Sequence, residues 1–158
     1  MAESSAQRHI VIALDSSDHA KYALDWAIEN VIRSGDNVVL LSVAQKDEYE
    51  GQAALWGSKG SPYIPLVEFD ILKKYHLLDH AAIEKLQKVS KQNNIEVVGQ
   101  IHYGDPRDKV VEACQQVAAD LLVLGSRGLG SVKRVLLGSV STYVVANAPC
   151  PVTVVKKP

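Results

Sequence analysis

The chain has 158 residues, 47% hydrophobic and 22% charged, the balance of one globular domain rather than a disordered or collagenous chain. Its 17 Lys and Arg against 18 Asp and Glu leave a net charge of -1, so no positive excess points to nucleic acid or an anionic membrane. No apolar run approaches the roughly 18 residues of a membrane span, and residues 1–9 lack the apolar stretch of a signal peptide. Cys114 and Cys150 match no metal or redox spacing, so two reduced thiols in a cytoplasmic protein are expected.

Residues 1–8 are polar and expected to be loose. His9 to Leu14 is a short β-branched run that ends on Asp15, which suits a strand buried on both faces of a parallel sheet. Ser16, Ser17 and Asp18 then offer helix caps. Ala23, Leu24, Ala27, Ile28, Val31 and Ile32 follow at helical spacing, up to a stop at Gly35. Asn37 to Val43 reads as a second buried strand. Residues 44–66 break the rhythm with Gly51, Gly57, Gly60, Pro62 and Pro65, and read as a long loop.

From Val67 to Asn94 the spacing predicts a helix. Glu96 to Tyr103 predicts a third strand near an edge. Asp105 and Pro106 mark the next helix start, since Asp caps and Pro suits the first helical position. Its inner face is Val110, Val111, Cys114, Val117 and Ala118. Asp120 to Leu124 is a fourth strand. A helix from about Gly138 to Asn147 follows, then a fifth strand at Val152 to Val155. The single domain spans 1–158. Strands alternating with helices predict an α/β fold, an open doubly wound parallel sheet with Rossmann-like architecture. In such sheets ligands bind beyond the carboxyl ends of the strands, where the strand order reverses. That rule puts Asp15, Val43 and residues 125–141 on one rim.

The fourth strand runs into Gly125, Arg127 and Gly128, and nine residues later into Gly138-Ser139-Val140-Ser141. Glycines at 125 and 128 can take positive φ and let a ligand touch the backbone. Their N–H groups can form an anion-binding nest. The start of the last helix presents unpaired N–H groups and the positive end of its dipole, which favour phosphate. The hydroxyls of Ser139 and Ser141 add donors, and Arg127, Lys133 and Arg134 add charge. The Walker pattern fails, because Gly130 is followed by Ser131 and Val132. The dinucleotide pattern fails too, because Lys133 stands at its third glycine. The residues alone leave open a second reading, in which these glycines only shape a loop and cap a helix.

The spacing Gly125-x2-Gly128-x9-Gly138-Ser139 resembles the nucleotide-binding signature of the universal stress protein family. The likeness extends to the first strand ending in Asp15, to Tyr103-Gly104-Asp105-Pro106 and to Ala148-Pro149-Cys150-Pro151-Val152, and covers residues 8–156. The long 44–66 insert is similar to that of plant members. The resemblance implies five strands in the order 3-2-1-4-5 and a homodimer joined through Val152–Val155. It also implies an adenine nucleotide, ATP or else ADP or AMP, because members with the full glycine signature bind one. Asp15 would then accept from the ribose hydroxyls. The backbone of Val43 would hold the adenine edge, with Ala13 and Leu14 as an apolar wall. Gly125, Arg127, Gly128, Gly138, Ser139, Val140 and Ser141 would hold the phosphates. Any Mg²⁺ would sit on phosphate and water, since the sequence offers no carboxylate cluster.

Other candidates carry less. His76 and His80, with Asp79 beside the second, could share a helical face and bind a metal; incidental surface histidines are the simpler reading. His9, His19 and His102 have no partner legible in the sequence. Trp26 belongs to a core, while Trp56 closes over a ligand or packs at a dimer surface. Cys150 between two prolines reads as a packed small residue. Phosphoryl transfer needs metal ligands, a base and charge neutralisation, of which only Arg127 is in view. The expectation is a nucleotide-dependent switch with at most slow hydrolysis, acting on an unidentified protein partner. A chaperone-like dimer indifferent to nucleotide and a true ATPase or phosphotransferase are the alternatives.

Overall fold

The computed structural model of the chain describes residues 7–44, 60–70, 79–127 and 137–158. In chain order the elements are β1 (His9–Leu14), α1 (Asp18–Asn30), β2 (Asn37–Ala44), β3 (Ile64–Pro65) with a 3₁₀ turn (Leu66–Glu68), α2 (His80–Asn93), β4 (Glu96–Tyr103), α3 (Pro106–Gln116), β5 (Leu121–Gly125), α4 (Ser139–Asn147) and β6 (Val152–Val155). They build one sheet in the order β3-β4-β2-β1-β5-β6. The five longer strands pair in parallel, in the expected order. The strand order reverses between β1 and β5, and that is the switch point of the fold.

Among the described residues the sheet has six strands rather than the expected five. Ile64 and Pro65 pair antiparallel with Gly99 and Val98, inside the segment expected to be loop. Two residues are too few for a periodic signal, and Pro is admissible because β3 is an edge strand with one side unpaired. Just before it, the Ser61 N–H donates to the Ile101 carbonyl at 2.8 Å and the Ile101 N–H donates to Ser61 Oγ at 2.9 Å. The end of the long insert is thereby laced to β4.

Alternation along the strands feeds two cores. Ile10, Ile12, Val38 and Leu40 meet Ala20, Leu24 and Ile28 of α1 and Ile83 and Leu86 of α2 on one face. Val11, Val39, Leu41, Leu122 and Leu124 meet Val110 and Cys114 of α3 and Val144 of α4 on the other. Helices on both faces make the sheet doubly wound.

Caps follow residue chemistry. Ser17 caps α1, its Oγ accepting from the Ala20 N–H at 3.1 Å. Asp105 caps α3 with Pro106 in its first turn. The helix expected over 67–94 is not continuous: Asp79 is extended (φ -90°, ψ 171°) and accepts from the Ala82 N–H at 2.8 Å, so α2 begins at His80. The apolar spacing across the break hid this N-cap. Asn94, in the left-handed region at φ 52°, ends α2. Ala118, expected on the inner face of α3, is exposed at φ 51°, beyond the helix end. Arg8, expected to be loose, is anchored. Its guanidinium donates from Nε at 2.9 Å to Asp36, which is buried, and the Asn37 N–H donates to its carbonyl at 2.8 Å.

Candidate functional site

Of the expected residues, Asp15, Val43 and Gly125 lie at the carboxyl ends of β1, β2 and β5. Asp15 leaves β1 at the switch point. Its Oδ1 accepts from the Ser17 N–H at 2.9 Å and from the Ser17 hydroxyl, while Ser17 Oγ caps α1. The carboxylate is thus held in place by the turn it opens.

Ala13 and Leu14 point to opposite faces, as neighbours in a strand must. Ala13 packs with the α3–α4 core, and Leu14 lies in the α1–α2 core. The single wall expected of both is therefore divided. Leu14 and Asp15 border a cavity of about 270 Å³ between α1 and α2, reached also by Lys21 and Lys85. Val43 is half-buried near the end of β2, paired in register with His102 of β4.

Gly125 is a glycine for a reason other than the one expected. It has no left-handed φ; instead, a Cβ on it would lie 2.9 Å from the His19 carbonyl oxygen. The first turn of α1 sits directly on the end of β5. Arg127 is half-buried two residues further on. Gly128, Lys133 and Arg134 lie outside the described residues, as do His76 and Trp56.

The start of α4 is tied to the end of β5 from two sides. The Gly138 N–H donates to the Ser126 carbonyl at 2.7 Å. The Ser141 hydroxyl donates to the carbonyls of Gly125 at 2.8 Å and Ser126 at 3.1 Å. Two expected donors, the Gly138 amide and the Ser141 hydroxyl, are therefore spent on holding the helix in place. The N–H groups of Ser139, Val140 and Ser141 occupy the first turn of α4 and have no acceptor within the helix. They stand at its positive end, where anions are favoured. Ser139 is exposed and Val140 half-buried.

Sequence reasoning missed three buried polar residues. Ser126 closes the base of the loop, and nothing in its spacing marks it. Gln100 and His102 are buried on β4. A polar pair two apart in a largely apolar strand was the signal available. Among the described residues neither His102 ring nitrogen nor Gln100 Oε1 has a hydrogen-bond partner. Burial pushes the His102 pKa down, and nearby Lys109 adds to this against the opposing pull of Glu112.

Away from the rim, Cys114 and Cys150 belong to the same packed core. Burial first, then Cys150, pushes the Cys114 thiol up to about 12. Among the described residues no group of three or more His, Cys, Asp or Glu could hold a metal ion. No helix there is long and apolar enough to cross a membrane.

A twisted parallel sheet wound on both faces, with a carboxylate and a tethered helix start at its switch point, defines an open α/β domain of Rossmann-like architecture. The chain belongs to the universal stress protein family, whose model matches residues 7–156. A universal stress protein A-like protein of Arabidopsis thaliana is 30% identical over 142 residues, covering 87% of this chain and 78% of its own length. An uncharacterised protein of Schizosaccharomyces pombe is 29% identical over 160 residues, and this chain spans only 25% of its length. Among solved structures, the universal stress protein UspA from Lactobacillus plantarum superposes with a TM-score of 0.68 at 28% identity, covering 96% of this chain and 99% of that one. A universal stress protein family protein from Arabidopsis thaliana with AMP bound has a TM-score of 0.62 at 24% identity, covering 96% and 92%.

Proposed function

We propose that this protein binds an adenine nucleotide along the rim between β2, β1 and α4 and acts as a nucleotide-dependent switch. The observation that supports this most is the tether of Gly138 and Ser141 to the Ser126 and Gly125 carbonyls, which fixes the N–H groups of Ser139, Val140 and Ser141 beside the switch point. In this reading those amides, Arg127 and the Gly125–Gly128 backbone take the phosphates. Asp15 takes the ribose hydroxyls through its carboxylate. The backbone of Val43 takes the base edge, with Ala13 beneath it. The AMP held by the Arabidopsis protein of the same fold supports the ligand class. ATP is the nucleotide proposed, with any Mg²⁺ held by its phosphates and water. The bound nucleotide itself would bring a chain of phosphates whose charge changes between ATP and AMP.

Binding is favoured over catalysis because Asp15 is engaged by the turn it belongs to, its carboxylate accepting from the Ser17 N–H and hydroxyl. Occupancy orders the residues around α4 and so alters a surface that a protein partner reads. Among the described residues the outer edge of β6 is unpaired, and Val152, Thr153 and Val154 are only half-buried, which supports a homodimer across that strand. Calorimetric titration of the purified chain with ATP, ADP and AMP tests the site. The expected outcome is saturable binding that Asp15→Ala weakens. Absence of heat with all three nucleotides, in protein shown to be folded, would remove the proposal.

A further inference from the structure

We propose that His102 reads the base of the nucleotide at this rim, an inference that rests on the adenine-nucleotide reading above. Residues paired in register on parallel strands share a face of the sheet. Ala13 of β1, Leu41 of β2 and Gln100 of β4 make one such row. One step nearer the carboxyl ends, Val43 and His102 make the next. Asp15 follows β1 directly, so Asp15, Val43 and His102 stand at the carboxyl ends of the neighbouring strands β1, β2 and β4. Adjacent strands lie about 4.8 Å apart, so β4 is roughly 10 Å from β1. A nucleotide with its phosphates on α4 and its ribose at Asp15 lays its base across β2, and the far edge of a purine then arrives at β4.

The chemistry at that end suits a heterocyclic edge. Among the described residues His102 is fully buried with neither ring nitrogen partnered, and the Gln100 side chain beside it leaves Oε1 unpartnered while its Nε2 donates to the Ser61 carbonyl at 3.2 Å. A buried polar atom without a partner is costly, and native structures keep few of them. Three in one patch at the binding rim call for a ligand group that supplies both a donor and an acceptor. The ring is held neutral at pH 7 by its burial, so it offers one N–H and one lone pair. Gly60, at φ 79°, closes the ring on one side: a Cβ there would fall 2.8 Å from Nε2. Val43, paired in register with His102, flanks it on β2. Adenine presents an amino donor next to the N7 acceptor, whereas guanine presents two acceptors at the same positions. An orphaned acceptor at Gln100 and a donor–acceptor ring at His102 match adenine.

The experiment titrates the wild-type chain, His102→Leu and His102→Gln with ATP, GTP and inorganic tripolyphosphate. It also follows the ¹⁵N imidazole resonances of the wild type on addition of AMP. Wild type is expected to prefer ATP to GTP. His102→Leu is expected to lose about tenfold in ATP affinity, the worth of one good hydrogen bond, with tripolyphosphate affinity unchanged. His102→Gln is expected to recover part of the loss, and the His102 ring nitrogens to shift with AMP. If wild type binds ATP but both variants keep its ATP-to-GTP ratio and the imidazole resonances do not move, a buried water is the partner and the inference fails while the site stands. If wild type binds neither ATP nor tripolyphosphate, the nucleotide reading fails and takes this inference with it. The wild-type resonances decide the matter even if a variant does not fold.

Discussion

Gly125 lies directly beneath His19: a side-chain carbon at position 125 would meet the His19 carbonyl oxygen at 2.9 Å and its carbonyl carbon at 3.0 Å. Both atoms belong to the backbone of α1, which cannot step aside as a flexible side chain can. Gly125→Ala is therefore expected to cost about 1–3 kcal/mol, the usual penalty for overpacking. Because α1 also carries Ser17, which holds Asp15, nucleotide affinity should fall together with stability. Urea unfolding and calorimetry on the same samples check both. An alanine variant as stable as wild type would show that α1 is free to shift.

Ser141 spans the joint between β5 and α4 with one hydroxyl. Ser141→Ala leaves the Gly125 and Ser126 carbonyls without that donor in a buried place. The expected loss is about 1–3 kcal/mol, as for other buried groups stripped of a partner. Amide hydrogen exchange at Gly138, whose N–H donates to the Ser126 carbonyl, should quicken. Unchanged exchange there would mean that the Gly138 bond alone carries the tether.

Stability should fall as the solution is acidified through the ordinary histidine range, and His102 should account for part of the fall. Burial and Lys109 lower its folded-state pKa below 6.5, against the opposing effect of Glu112. Above about pH 6.5 the ring is neutral folded or unfolded, so it adds no pH dependence. Below it the unfolded chain takes up a proton that the folded chain refuses, and the balance moves toward unfolding until the folded pKa is reached. Urea midpoints measured between pH 7.5 and 5 should drop less in His102→Leu than in wild type. Equal slopes would remove His102 as a cause.

The two cysteines should be poor nucleophiles. A thiol reagent attacks the thiolate, and Cys114 is fully buried with its thiol pushed up to about 12. Burial raises Cys150 as well, although neighbouring Cys114 pulls the other way. At pH 8 a chromogenic disulfide should label the native chain slowly and both thiols at once after unfolding. Rapid labelling of native protein would contradict the packing of α3 against the lead into β6.

Much of this molecule is written locally. The β-branched runs, the helical stripes and the caps at Ser17 and Asp105 are properties of a few neighbouring residues, so the order of elements and the parallel, doubly wound sheet follow from them. The glycine spacing from 125 to 138 and the acid at the end of β1 belong to the same class of signal. Once strands alternate with helices, right-handed crossovers place Asp15, Val43 and Gly125 on one rim. What only the tertiary structure decided depends on residues far apart in the chain. His19 dictates the glycine at 125, Ser141 spends its hydroxyl on the end of β5, and Cys114 meets Cys150. Ser61 laces a two-residue strand to β4, and Gln100 and His102 are sealed away from water beside Val43. No periodicity records such meetings, because each is made by packing one element on another, and packing is settled only when the whole sheet has closed.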